Sequence, residues 1–434
     1  MRLKSGLVLA LAILAAPIHA QPGAGNKVTA DSVSPEIFDR VRAFAPNASF
    51  AFARRFDRPL LRAAADSSGR FTLVLGGRAI SVVAVDSTGA IVWNKDLITL
   101  SGYMDEPYLA WLTGSLGGSN LVVYGIDEDV ARYVVFNRDG AIAFDDTLER
   151  GTGTFSPCGK YFYDGRSNAE DIILQRAEGG VRRLMLPPLG DVPTTNECCW
   201  TQGLFAGPNR LLAMTRIRAP WDLKFGKKYR ATIIDLATEP AVMSELETPP
   251  SDEHDYYTID YAASLHGGGL LTHEWGESRS DARISRYDHN GRLLWRSLLK
   301  MRQIMVRIVP ALDRPLAAVV IDEESLMTMN IDTGKIIDSA GVWQDSSHPY
   351  WAVHEQWFEA GGIVTSVTGL KTGNEMGVTR VAIDEEGRIG ASSVREEWMW
   401  GLGRRQPILG IAERCLMDSV CTVVGFRKET PSKR

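Results

Sequence analysis

The chain has no second long hydrophobic run, no excess of positive charge, few cysteines and no stretch of low complexity. Each shortage excludes something. After Leu7 to Ala16, a run of ten apolar residues, nothing is long and apolar enough for a membrane span, which takes roughly 20 residues. Lys and Arg number 48 against 53 acids, a net charge of −5, and a nucleic-acid partner needs a basic face instead. No Gly-x-Ser-x-Gly elbow, phosphate loop or Cys-x-x-Cys occurs. His254, His266, His273, His348 and His354 form no metal-ligand spacing. His273-Glu274-Trp275 and His354-Glu355-Gln356-Trp357 resemble each other, but both fall within expected strands. There, alternation sends His and Glu to opposite faces. No metal site is expected.

What is present begins at the N-terminus. Arg2 and Lys4 precede the apolar run, Pro17 breaks it, and Ile18-His19-Ala20 offers a cleavage site before Gln21. This is the layout of a secretory signal peptide, with a membrane anchor as the competing reading. No cysteine follows the cleavage point, which argues against a lipid anchor. Removing Arg2 and Lys4 with residues 1–20 leaves 46 basic against 53 acidic residues, a net of −7 over 414 residues. The expected location is periplasmic or secreted, without membrane insertion. Disorder is expected at Gln21 to Ser32 and Glu429 to Arg434.

One pattern recurs through the rest: a β-rich run, an acidic or polar turn with glycine, and another β-rich run. Copies occur at Ser81 to Trp93, Tyr133 to Phe144, Asp171 to Leu184, Ile284 to Trp295, Met327 to Ile337 and Thr379 to Ile389. A seventh, Tyr229 to Met243, lacks the glycine. The acidic or amide side chain closes the turn on its own backbone, and glycine takes the positive-φ position. The turn glycines at 89, 140, 180, 291, 334 and 387, with the seventh copy filling the wide gap, space seven copies over 298 residues, near 50 each. A period of this size denotes a repeat architecture, and four strands per unit denote propeller blades. Leu60 to Leu75 and Gly153 to Tyr163 read as the first hairpins of two such units. At the ends, Pro407 to Cys415 and Cys421 to Phe426 read as an A–B hairpin, and Ala48 to Phe56 as a lone strand. Pairing these closes the ring. The expectation is an all-β propeller of eight four-stranded blades, with seven blades and an accessory hairpin as the alternative. Residues 1–20 are the signal peptide, 21–47 a lead-in, 48–427 the propeller and 428–434 a disordered tail.

The Asp-x-x-Gly-x-x-x-Trp turns at Asp86 to Trp93 and Asp288 to Trp295 resemble the PQQ-like (quinoprotein-type) propeller repeat. Ser156-Pro157-Cys158-Gly159-Lys160 is similar to the Ser-Pro-Asp-Gly-Lys hairpin of TolB- and WD-type propellers, with Cys158 where Asp is usual. The resemblance covers most of the chain and is specific for architecture. Such propellers include enzymes, receptors and assembly factors, so it leaves function open.

Five cysteines, an odd number, are expected in an oxidising compartment. Cys415 and Cys421 suit a hairpin disulfide, and Cys198 and Cys199 a vicinal one. Cys158, on the opposite rim, is expected to be unpaired, although a bond to one of the adjacent pair is the alternative.

The D–A loops of a propeller meet at the mouth of its channel. Here they carry Tyr103, Asp105, Glu106 and Tyr108; Glu197 and Trp200; and Glu253, His254, Asp255 and Tyr256. The set continues with His348, Tyr350 and Trp351, then Trp400 and Arg404. Acids, histidines and aromatic walls are what a ligand site needs, although loops are polar and aromatics also pack between blades. The expected function is a noncatalytic, monomeric binding scaffold that takes a glycan or a segment of a protein partner at this face. Outer-membrane assembly propellers of the resembled repeat type use such faces for protein contacts. The alternative is an enzyme at the same face, a degenerate quinoprotein oxidoreductase or a hydrolase. Cys198-Cys199-Trp200 resembles the disulfide and tryptophan that enclose PQQ in quinoprotein alcohol dehydrogenases. The chain is shorter than those enzymes and lacks a recognisable calcium-ligand set. No cofactor is expected, PQQ with calcium being the alternative.

Overall fold

The computed structural model describes residues 25–428 except 77–79, 98–109, 116, 126–129, 150–152, 168–170, 188–198, 218–228, 248–256, 267, 277–281, 300–305, 312–313, 322–324, 342–349, 359–362, 371–375, 397–398, 401–406 and 414–419. The described residues form eight antiparallel sheets, seven of four strands and one of five. In chain order, blades 1 to 7 occupy residues 60–97, 110–149, 154–185, 199–245, 257–299, 306–341 and 350–396. Within each, four consecutive strands A to D pair in sequence. Blade 8 joins the two ends of the chain: Ser49–Phe56 pairs with Cys421–Arg427, setting Phe50 opposite Phe426 and Phe56 opposite Cys421. The fold is an eight-bladed β-propeller.

The turns form as the sequence implies. Asp86 Oδ1 accepts the backbone N–H of Thr88 at 2.8 Å and of Ala90 at 2.9 Å. Asn137 and Asp288 do the same for their own turns, and Asp384 accepts the N–H of Arg388 at 2.7 Å. In blade 6 the expected cap Asp332 is displaced by Asn330, whose Oδ1 accepts from Asp332 and Thr333. In blade 4 the turn without glycine contains a cis Glu239–Pro240 peptide. Middle strands are largely buried because blades pack on both of their faces. Every residue of Ile80–Val85 and of Leu316–Ile321 is buried.

The glycine-to-tryptophan spacing of the repeat has a packing cause. A Cβ on Gly140 would lie 2.6 Å from the ring of Trp93, and one on Gly334 would lie 2.7 Å from that of Trp295. The C–D turns of blades 1, 2, 5, 6 and 7 thus seat against the outer strand of the preceding blade. Trp93 Nε1 donates to Arg138 O at 3.1 Å, and Trp295 Nε1 donates to Ile331 O at 2.7 Å. At the junction of blades 3 and 4, Arg182 replaces the tryptophan and donates to Leu236 O at 2.9 Å.

Blade 8 departs from expectation in three ways. Ile408–Glu413 and Cys421–Arg427 are its second and third strands, because Met399–Trp400 supplies a two-residue inner strand. Asn26–Val28 adds a fifth strand on Ser49–Phe56, so residues 26–32, expected to be disordered, are ordered. The lead-in also holds the helix Pro35–Phe44. Val33, Ile37 and Val41 pack on Ala53, Leu409, Ile411, Val424 and Phe426, so a helix covers this face of blade 8. Among the described residues no helix is long and apolar enough to cross a membrane.

Candidate functional site

Antiparallel pairing gives the blades two unlike rims. The A–B and C–D hairpins turn on one rim. On the other, each D strand ends and the next A strand begins. The turn rim is built of short loops closed by backbone hydrogen bonds, such as Gly69 N–H to Asp66 O and Gly291 N–H to Asp288 O. On the linker rim, 98–109, 188–198, 248–256 and 342–349 join one blade to the next. The expected ligand residues Tyr103, Asp105, Glu106, Tyr108, Glu197, Glu253, His254, Asp255, Tyr256, His348 and Arg404 lie outside the described residues, as do Cys198 and Cys415.

Five residues expected in D–A loops belong instead to innermost strands. Cys199 and Trp200 open the strand Cys199–Gly207, opposite Ile217 and Arg216. Tyr350 and Trp351 open Tyr350–Phe358, and Trp400 ends Met399–Trp400. The inner strands begin earlier than turn residues alone suggest, because their aromatic and β-branched content favours the pleat.

Cys158 is a free thiol, as expected, and donates to the carbonyl of Pro208 in the neighbouring A–B turn at 2.7 Å. Cys421, expected in a hairpin disulfide with Cys415, is free and fully buried. Its side chain joins the core cluster of Phe56, Phe71 and Val423, turned inward by the register that sets Phe56 opposite it.

The most concentrated described chemistry lies in blade 5. His273 and Glu274 are adjacent on the strand Leu270–Gly276 and both are fully buried, each at a different junction. His273 Nδ1 lies 2.5 Å from Asp260 Oδ1 on the neighbouring inner strand. Its Nε2 is buried with no hydrogen-bond partner among the described residues. Glu274 accepts from Tyr287 Oη at 3.0 Å and from Thr272 Oγ1 at 3.1 Å, and pairs with Arg296 at 3.1 Å. Alternation does separate the two side chains: paired positions run Tyr261–His273–Ile284 on the blade 6 side and Thr272–Ser285–Arg296 on the blade 4 side. Burial raises the pKa of the Tyr261 phenol, and the charge of Arg307 opposes that shift.

Sequence reasoning missed a polar set on the innermost strands: Arg62 in blade 1, Gln202 in blade 4, Asp260 in blade 5 and Arg307 in blade 6. Burial pulls the pKa of the Arg62 guanidinium down. The available signal was a charge inside a strand-forming run, as in Leu60–Ala65 and Val306–Pro310. Among the described residues no group of three His, Cys, Asp or Glu side chains could hold a metal ion.

No family model matches the chain, and no curated protein matches it. Solved structures do. BamB from Moraxella catarrhalis is 14% identical, with 87% of this chain and 99% of that one covered and a TM-score of 0.42. The C-terminal WD40 domain of Sif2 is 10% identical, over 87% and 97%, with a TM-score of 0.46. The β-propeller domain of Myceliophteria thermophila Cps50 (Swd1) is 12% identical, over 73% and 96%, with a TM-score of 0.38.

Proposed function

We infer that the protein is an exported, noncatalytic propeller that binds a glycan or a protein segment on its linker rim. The carrying observation is the contrast between the rims. Closed turns occupy one, whereas the strands of the other are joined by long segments rich in acids, histidines and aromatics. Long connections on a rigid scaffold are where binding residues concentrate. One further point favours binding over turnover. The described His–carboxylate pair, His273 with Asp260, has its imidazole sealed between blades. A general base must come within hydrogen-bond reach of its substrate, and a sealed ring does not.

The test is thermal unfolding of the mature protein with oligosaccharides, with PQQ plus calcium, and with divalent metals. A bound ligand at about 100 times its Kd stabilises by about 2.7 kcal/mol. An oligosaccharide shift that Trp200→Ala removes supports the proposal. A shift with PQQ and calcium that Cys198→Ser removes overturns it and makes the protein an oxidoreductase.

A further inference from the structure

The outer strand of each blade presents unpaired backbone groups to solvent. Proteins bend, charge, shorten or cover such edges to prevent uncontrolled pairing. Among the described residues most blades do so. In blades 1, 2, 5, 6 and 7 a register shift breaks the ladder between the third and outer strands. In blade 8 the edge is covered by Asn26–Val28. In blade 4 the outer strand has four residues, and Glu247 just beyond it donates its N–H to Gly291 O of blade 5.

Among the described residues blade 3 has neither a register shift nor a cover, and its exposed face carries charge only at Arg183. Its outer strand, Val181–Met185, pairs with Asp171–Arg176 in unbroken register, from Asp171 opposite Met185 to Gln175 opposite Val181. The two glycines of its C–D turn stand clear of blade 2. No described atom lies within 4 Å of where a Cβ on Gly179 or Gly180 would sit. The matching glycines of blades 1, 2, 5, 6 and 7 all lie against the preceding outer strand. One face of the strand is therefore open. Val181 is 56% exposed, Met185 60%, and the side chain of Arg183 between them 64%. Arg183 is anchored through Nε by buried Asp171, and its five-donor guanidinium has capacity for a second carboxylate.

We propose that the outer edge of blade 3 accepts an extended segment of a partner protein as a fifth strand, with apolar side chains over Val181 and Met185 and an acidic one over Arg183. Main-chain hydrogen bonds supply affinity in strand addition, and alternate side chains supply specificity. The molecule contains the same arrangement within its own chain. Asn26–Val28 lies antiparallel on the outer strand of blade 8, with Lys27 opposite Arg54. A second copy is the weaker occupant. A two-fold pairing that brings all five residues of Val181–Met185 into register centres on Arg183 and sets it against itself, and like charges directly opposite are destabilising.

The experiment uses the full mature protein and two labelled peptides, acetyl-Val-Thr-Glu-Thr-Val-amide and its Lys-centred counterpart, read by fluorescence polarisation and amide hydrogen exchange. The Glu peptide slows exchange at residues 181–185 and at no other outer strand, and binds about tenfold more tightly than the Lys peptide. Arg183→Glu reverses that preference. Because this variant sets an acid beside buried Asp171, Met185→Lys serves as the second variant. It changes an exposed position and abolishes binding while leaving the unfolding temperature in place. Absence of protection at 181–185 in folded protein overturns the proposal, as does equal protection of every outer strand. Concentration-dependent dimerisation that Met185→Lys removes also overturns it, in favour of a second copy.

Discussion

Blade 5 meets its two neighbours through different chemistry. Toward blade 4, an apolar layer of Ile259, Ala262 and Leu270 surrounds the ion pair of Glu274 with Arg296, which Tyr287 and Thr272 complete. Toward blade 6, the layer of Ala263, Ile284, Ile308 and Val319 is closed at the periphery by Trp295 seated on Gly334. One strand serves both junctions, because alternation sends His273 one way and Glu274 the other. The ion pair on the first face lies within blade 5 and depends on its two partners being present together. The second combines shape with polar contacts that cross it, Arg286 paired with Asp332 at 2.7 Å and Ser297 Oγ donating to Gly334 O at 2.6 Å.

Glu274→Ala carries the largest effect. It strands the Arg296 guanidinium in a largely buried site and removes the acceptor of Tyr287 and Thr272. Breaking one member of such a pair costs about 3 to 5 kcal/mol, whereas replacing both with apolar groups is often neutral. Urea unfolding checks this. The single variant loses about 3 kcal/mol or more, and Glu274→Leu with Arg296→Met recovers most of it. If the double variant is as unstable as the single one, a stranded charge is not the cause of the loss.

Gly334→Ala tests the other side. It adds a Cβ at φ +69° and 2.7 Å from the Trp295 ring, so backbone strain and overpacking both act. The expected cost is about 2 kcal/mol. Gly180→Ala is the internal control, since its φ is +86° but no described atom is near. It carries only the conformational part, about 1 kcal/mol. Equal losses in the two variants would remove the docking of turn on tryptophan from the account of blade spacing.

The architecture was legible because each hairpin is self-contained. Asp86, Asn137 and Asp288 close their turns on backbone N–H groups within four residues, and a local rule finds a local structure. Blade 8 was legible only in part, since it pairs residues nearly the whole chain apart and its inner strand is two residues long. The helix Pro35–Phe44 carried a readable signal: Ser34 and Pro35 at its start, then Val33, Ile37 and Val41 at helical spacing. The prevailing β pattern overrode it. For the candidate site, residue types were legible and their partners were not. Nothing local ties Glu274 to Arg296, or His273 to Asp260, because strand register makes those contacts. The early start of the strands holding Trp200, Tyr350 and Trp400 was missed because loop and strand share aromatic residues there.

The smallest expected effect belongs to the turns that both junctions share. The backbone N–H of Arg292 is the main cause that holds the Asp288 carboxyl below its ordinary pKa. Slight burial works in the opposite direction, and the N–H of Asn290 with the charges of His289 and Arg292 adds to the lowering. A carboxyl depressed in the folded state contributes stability that is present above its unfolded pKa and is lost as pH falls through the folded one. Asp288→Ala should therefore lower the unfolding temperature slightly at neutral pH. The gap from the wild type should close as pH drops from about 5 to about 3. Because Asp288 is only partly buried, solvent screening keeps the effect small. A gap that stays constant across that range would mean that the turn is held by its backbone bond from Gly291 to Asp288 alone, with the carboxylate contributing nothing to how blade 5 presents Gly291 to the outer strand of blade 4.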